Sequence, residues 1–177
     1  MNNRIKLLLL FCVAPVFAVA QPFSSAASYE VCFTPGNDCT SEIVTAINSA
    51  KSSILVQAYS FTSAPIAAAL VNAKRRGVDV KAILDKSQVK NNRYSSAKFL
   101  ANQGIPVWVD NKVAIAHNKV MIIDGQTVIT GSFNFTKAAQ NKNTENVIII
   151  KDSKLASNYV INWKERQSYS QNLTKQE

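Results

Sequence analysis

Apolar positions along this chain recur with two periods, and the boundaries between them predict its elements. Ile43, Val44 and Ile47 fall on one helical stripe, behind Thr40 or Ser41 as a cap, and predict a helix to about Ala50. Ser53–Ser60 is a β-branched and aromatic run of strand length, which predicts a buried strand. Pro65 suits a first helical turn, Ile66, Leu70 and Val71 share a face, and Gly77 ends that helix after Arg76. Further strands are expected at Val78–Leu84, Ile105–Val109, Val113–Asp124 (bent near Ala116), Thr127–Ser132 and Asn146–Lys151. Helices are expected at Arg93–Asn102, stopped by Gln103-Gly104, and from Ser153 to about Ser168, and the last residues from Gln171 should fray.

Strands alternate with helices early and follow one another late. That order predicts an α/β fold: a mixed β-sheet flanked by helices on both faces, in one domain. The stretch 21–39 is polar and turn-rich and predicts an entry segment. Residues 1–20 do not belong to the fold. Arg4 and Lys6 precede the apolar run Leu7–Val19, and Ala18-Val19-Ala20 has the small-x-small form of a cleavage site. This predicts a signal peptide at 1–20 cleaved after Ala20, a domain at 21–177, and a periplasmic or secreted location. The apolar run is short for a membrane span, so no stable membrane insertion is expected.

Export changes the reading of the cysteines. Cys32 and Cys39 flank Thr34-Pro35-Gly36-Asn37, and an oxidising compartment favours a small disulfide loop over a metal site. Charge adds a preference for polyanions. The chain carries 20 Lys and Arg against 11 Asp and Glu, a formal +9, and remains strongly basic without Arg4 and Lys6. A nucleic acid or an anionic membrane surface would suit it equally on charge alone.

The chemistry concentrates between residues 117 and 145. His117-Asn118-Lys119 is followed by Asp124-Gly125, then Gly131-Ser132-Phe133-Asn134, then Glu145. Residues two apart on a strand share a face, which pairs His117 with Lys119, and Ser132 with Asn134 if the chain stays extended. The Asp-Gly turn between them is a hairpin signal that brings the pairs together. An imidazole, an ammonium, a hydroxyl and a carboxamide around one point suit a phosphate group. Asp124, seven positions from His117, falls on the opposite face and is expected to support the site structurally. Phe133 and Phe135 alternate away from Asn134 and predict core. His117 is the only histidine of the chain. Lys119, set in an apolar strand, is either a phosphate ligand or an edge charge that discourages aggregation.

These residues resemble the signature of the phospholipase D superfamily, H-x-K-x4-D followed by six residues and Gly-Ser, here His117, Lys119, Asp124, Gly131 and Ser132. The length is similar to the small single-motif bacterial endonucleases of the Nuc type. The resemblance implies a phospholipase D-like fold and a phosphodiesterase with no cofactor and no metal. It implies His117 as nucleophile through a covalent phosphohistidine, with Lys119 and Asn134 on phosphate oxygens. Ser132 would support the site, Asp124 would fill the motif aspartate, and Glu145 would orient the imidazole. Larger members carry two motifs. A chain with one motif and one imidazole then implies a homodimer with the active site at its two-fold interface.

Nucleic acid, DNA or RNA, is the expected substrate, with little base specificity. Lys74, Arg75, Arg76, Lys86, Lys90, Arg93, Lys98 and Lys112 concentrate in mid-chain, where phosphate-backbone contacts would form, although several also suit a solvated helix end. Tyr59, Phe61, Tyr94 and Trp108 are candidates for a groove or for the core. The alternative is a phospholipase D acting on phospholipids, against which the sequence offers no obvious apolar insertion for a bilayer.

Overall fold

The computed structural model describes residues 20–89 and 96–173. Residues 1–19 of the expected signal peptide, the basic Lys90 and Arg93, Tyr94, the expected start of a helix at Arg93 and residues 174–177 lie outside the described residues.

Eight strands form a single sheet in the order β1-β7-β6-β5-β2-β3-β4-β8. They are β1 Ser28–Thr34, β2 Ser53–Ala58, β3 Asp79–Asp85, β4 Val107–Asp110, β5 Lys119–Ile123, β6 Thr127–Gly131, β7 Glu145–Lys151 and β8 Gln171–Asn172. β2, β3 and β4 are mutually parallel, whereas β5, β6, β7 and β1 pair antiparallel in succession outward from β2. The sheet is therefore mixed, as the order of elements predicts.

Among the described residues five α-helices cover it: α1 Cys39–Ser49, α2 Ala64–Arg75, α3 Ser96–Asn102, α4 Lys137–Asn141 and α5 Ser153–Tyr169. Residues of the first four pack into one large core that includes Ile43, Ile47, Ile66, Leu70, Leu100, Phe133 and Phe135. On the other face α5 seals a smaller core of Ile83, Val120, Ile122, Val128, Ala156 and Trp163. Trp163 Nε1 donates to the Val56 carbonyl at 2.9 Å, and its ring meets Trp108 edge-on with centroids 5.9 Å apart. Arg166 makes two bonds to the buried Asp110 carboxylate, which fixes the end of α5 to the end of β4.

Several elements differ from expectation. The segment expected to be irregular contains β1, joined to the start of α1 by the Cys32–Cys39 disulfide. The cap of α1 is Asp38, which accepts from the backbone N–H of Ser41 and lies two residues before Thr40 and three before Ser41. Residues 113–118 are not strand. Asp85 accepts from the Ala116 N–H at 2.8 Å and Lys86 donates to the Val113 carbonyl at 2.9 Å, and these tertiary bonds hold the segment as a loop. α4 and β8 have no counterpart in the sequence reading.

Two of the mid-chain basic residues also make contacts within the fold: Arg76 donates to the Ile47 and Asn48 carbonyls at the end of α1, and Arg75 donates to Gln103. Apolar surface is greater than the sequence suggests. Phe23, Tyr29, Val31 and Phe33 are all more than half exposed, so an apolar stripe does exist along β1. Among the described residues no helix is long and apolar enough to cross a membrane.

Candidate active site

The strand directions converge the candidate residues on one end of the sheet. β2, β3, β4 and β6 finish at the end where β5 and β7 begin. His117 and Lys119 enter β5, Ser132 and Asn134 leave β6, and Glu145 opens β7. Open α/β sheets place their ligands beyond the carboxyl ends of strands for the same reason: loops gather there.

His117 is exposed and sits in the loop just before β5, whereas Lys119 is 8% exposed as the first residue of that strand. Both face Tyr59, the residue after β2. The imidazole and phenol centroids are 4.7 Å apart at 50°, and the Lys119 ammonium lies 5.3 Å from the phenol centroid. Lys119 Nζ also donates to the His117 carbonyl at 3.0 Å. β5 is flanked by β6 and β2, so Lys119 is on an interior strand and is not an edge charge. Burial pulls its ammonium below the usual lysine range, and the Glu145 carboxylate opposes that shift.

Glu145 accepts from the Ser132 hydroxyl at 2.6 Å and from the Asn143 amide at 2.9 Å. Ser132 Oγ in turn accepts from the backbone and side-chain N–H groups of Asn146. The bonded partners of Glu145 are thus Ser132 and Asn143, while the ring against His117 is Tyr59. The chain turns at Gly131, where φ is +144°, and the N–H groups of Ser132 and Phe133 both donate to the Asn146 carbonyl. Ser132 and Asn134 therefore do not continue a straight strand, as extension would require. Phe133 and Phe135 are buried as expected. Between them Asn134 Oδ1 is buried with no hydrogen-bond partner among the described residues. An unmet polar atom of this kind costs about 1–3 kcal/mol.

Asp124 does not join this group. It occupies the turn after β5, at the opposite end of the sheet, with φ +54° beside Gly125 at +63°. Its carboxylate accepts from the N–H groups of Lys51, Ser52 and Ser53 and from the Ser52 hydroxyl. Burial would raise its pKa, but these donors outweigh burial and hold it below the ordinary carboxylate value. It clamps the turn after β5 to residues 51–53, the kind of structural role expected of it.

Phe61 is fully buried and Trp108 packs on Trp163, so neither is a groove residue. Tyr59 is the site residue whose role the sequence did not reveal. The clefts along β1, one of about 560 Å³ lined by Glu30, Cys32, Asn37, Asp38, Glu42 and Ile149, contain none of the candidate residues. Among the described residues no group of three or more His, Cys, Asp or Glu is arranged to hold a metal.

Comparison with known proteins places these features. Residues 43–166 match the family described as cardiolipin synthase, PLD-like domain. A phospholipase D of Rickettsia bellii is 46% identical over 144 residues, 81% of this chain and 71% of the relative. The crystal structure of a phospholipase D family member, Nuc from Salmonella typhimurium, is 43% identical, covers 82% of this chain and 97% of that one, and superposes with a TM-score of 0.77. NucT from Helicobacter pylori, 25% identical, gives the same TM-score over 83% of this chain and 99% of that one.

Proposed function

Because the chain belongs to the phospholipase D superfamily and is a phosphodiesterase of that group, we propose that it is a non-specific endonuclease that cleaves DNA or RNA through a phosphohistidine at His117. The observation that carries this reading is the convergence at one sheet end of the sole imidazole, a nearly buried ammonium and a carboxamide whose buried oxygen has no partner among the described residues.

In the proposed reaction one ring nitrogen of His117 attacks phosphorus, forming a P–N bond as the bond to the leaving oxygen breaks. The leaving oxygen takes a proton from a second imidazole. That imidazole then removes a proton from water, the water oxygen attacks phosphorus, and the P–N bond breaks to restore His117. Lys119 holds one non-bridging oxygen. Asn134 can present its amide N–H to another, since rotation about χ2 exchanges its two ends. Ser132 and Asn143 fix Glu145, whose charge opposes the downward shift that burial imposes on the Lys119 ammonium.

The chain has a single histidine, so the second imidazole comes from the His117 of a second copy. The proposal therefore includes a symmetric dimer with one composite site. Its location follows the same reading. The Cys32–Cys39 bond belongs in an oxidising compartment, which suits export behind a leader ending at Ala20.

Polyanionic substrate is favoured by the formal +9 charge and by similarity to Nuc over 97% of that chain. A second reading, phospholipid hydrolysis, is favoured by relatives named phospholipase D and by the exposed apolar side chains of Tyr29, Val31 and Phe33. The test is nicking of supercoiled plasmid in excess EDTA beside hydrolysis of phosphatidylcholine vesicles. Nicking that persists in EDTA and vanishes in His117→Asn supports the endonuclease. Lipid hydrolysis without nicking supports the second reading, and nicking restored only by added magnesium or calcium refutes metal-independent chemistry.

A further inference from the structure

We infer that Tyr59 is a positioning residue whose one ring holds the imidazole of His117 and the ammonium of Lys119 in a fixed relation without occupying any of their reactive atoms. The inference rests on the phosphodiesterase reading of this site.

Tyr59 is itself fixed by backbone pairing. Ala58 stands opposite Lys119 in the β2–β5 register, and the Tyr59 N–H donates to the Asn118 carbonyl at 2.8 Å. This pairing sets the Tyr59 backbone across from the His-Asn-Lys segment. The ring meets the imidazole at 4.7 Å and 50°, within the range of favourable tilted aromatic pairs. It also lies 5.3 Å from the ammonium, within cation–π range. The bond from Lys119 Nζ to the His117 carbonyl closes the third side of the triangle.

The choice of an aromatic partner has a chemical consequence. A carboxylate bonded to Lys119 would consume N–H donors that a phosphate must receive. The carboxylate whose charge acts on Lys119, Glu145, is instead engaged by Ser132 and Asn143. A π face compensates the charge of a nearly buried ammonium and leaves its remaining donors available. The same holds for His117. A ring contact restrains imidazole rotation and leaves both nitrogens open, one toward phosphorus and one for a proton.

The test compares wild type, Tyr59→Phe, Tyr59→Leu and His117→Asn on bis(p-nitrophenyl) phosphate, with unfolding followed by circular dichroism. Tyr59→Phe should keep kcat within about threefold, whereas Tyr59→Leu should lose about 30-fold in kcat, equal to about 2 kcal/mol, with KM changed less than about threefold. Since His117 is the only histidine, its imidazole proton signals report the contact directly. Their upfield displacement by the phenol ring should persist in the Phe variant and disappear in the Leu variant. Should the Leu variant not fold, Tyr59→Met carries the same comparison. A folded Leu or Met variant with wild-type kcat, a Phe variant as impaired as Leu, or imidazole signals unmoved by loss of the ring overturns the inference. A folded wild type that shows the ring-shifted signals but turns over no diester, plasmid or lipid overturns the phosphodiesterase reading instead.

Discussion

Gly131→Ala tests how tightly the end of β6 couples the fold to the site. A Cβ at Gly131 would lie 2.2 Å from the Asn146 carbonyl oxygen and 2.9 Å from Asn146 Oδ1, and the backbone there has φ +144°. Restoring an ordinary contact requires β6 and β7 to separate by about 1 Å, an overpacking that costs about 1–3 kcal/mol. The conformation itself adds about 1–3 kcal/mol for a residue with a side chain. The Asn146 carbonyl accepts from the N–H groups of Ser132 and Phe133, and Asn146 donates twice to Ser132 Oγ, which donates to Glu145. The displacement is thus delivered to the Ser132–Glu145 pair. Together these cost about 2–6 kcal/mol, so the melting temperature should fall by about 4–24 °C at about 2–4 °C per kcal/mol for a chain of this size, and kcat on a chromogenic diester should fall with it. Gly77→Ala is the control: φ is +92° but nothing lies within 4 Å of its Cβ, and it precedes β3 at the far end of the sheet. It should lower the melting temperature by only a few degrees, about 1–3 kcal/mol, and leave turnover intact. A Gly131→Ala protein that melts with the Gly77→Ala control would refute the clash. One that is destabilised yet turns over normally would refute the coupling of Ser132 and Glu145 to the chemistry.

Three further outcomes are expected. Equal amounts of wild-type and His117→Asn chains, unfolded and refolded together under oxidising conditions, should place about half of the wild-type chains in heterodimers; a composite site then gives about half the activity per wild-type chain, and full activity per chain contradicts it. Asn134→Ala removes a buried acceptor with no partner, so its melting temperature should hold or rise while turnover falls at least about 100-fold, the size of one lost transition-state donor; a destabilised but active variant would count against a phosphate-binding role. Asp124→Asn should cost about 1–2 kcal/mol at pH 7 by urea unfolding, with turnover unchanged. The Asp124 carboxyl is depressed in the fold, so its contribution is present above the unfolded value of about 3.9 and is lost as pH falls through the folded value. The gap between wild type and variant should therefore close at low pH; a gap that widens there would reverse the assigned sign.

What could be read from the sequence followed burial. β2, β3, β5 and β7 lie inside the sheet and appear as apolar runs. β1 is an edge strand whose alternation is inverted. Tyr29, Val31 and Phe33 face outward, while the inward positions are Cys32 and Thr34, so the pattern carries no recognisable core face. α4 has five residues and β8 two, too few to show a period. The run from Val113 to Ala116 looks like strand, but Asp85 and Lys86 divert it through contacts made about 30 residues away in sequence. His117, Lys119, Ser132 and Asn134 were expected near one another from strand alternation and from the family resemblance, and the fold brings their segments to one end of the sheet. Tyr59 was not expected among them, because its approach to His117 depends on which residue of β2 faces Lys119, and pairing register is a tertiary property.

The spacing of the motif itself has a structural reason. Lys119 begins β5, Asp124 follows its last residue, and the four residues between them are buried strand interior. At about 3.4 Å per residue, those five steps span about 17 Å. The chain then turns through Asp124 and Gly125, whose positive φ values suit a tight hairpin. β6 carries it back so that Gly131 and Ser132 arrive beside Glu145. The interval between lysine and aspartate thus measures the length of a strand, and the six residues that follow are the return journey. Only the two ends of this hairpin that meet at the site can carry chemistry. The aspartate marks the other end, where it ties the turn to residues 51–53 at the entry to β2. A motif with fixed spacing therefore describes one hairpin of defined length, with reacting groups at its open end and a clamp at its closed end. Inserting a residue pair within β5 should preserve every side-chain face yet pull the clamp away from residues 51–53, because facing repeats every two residues but reach does not.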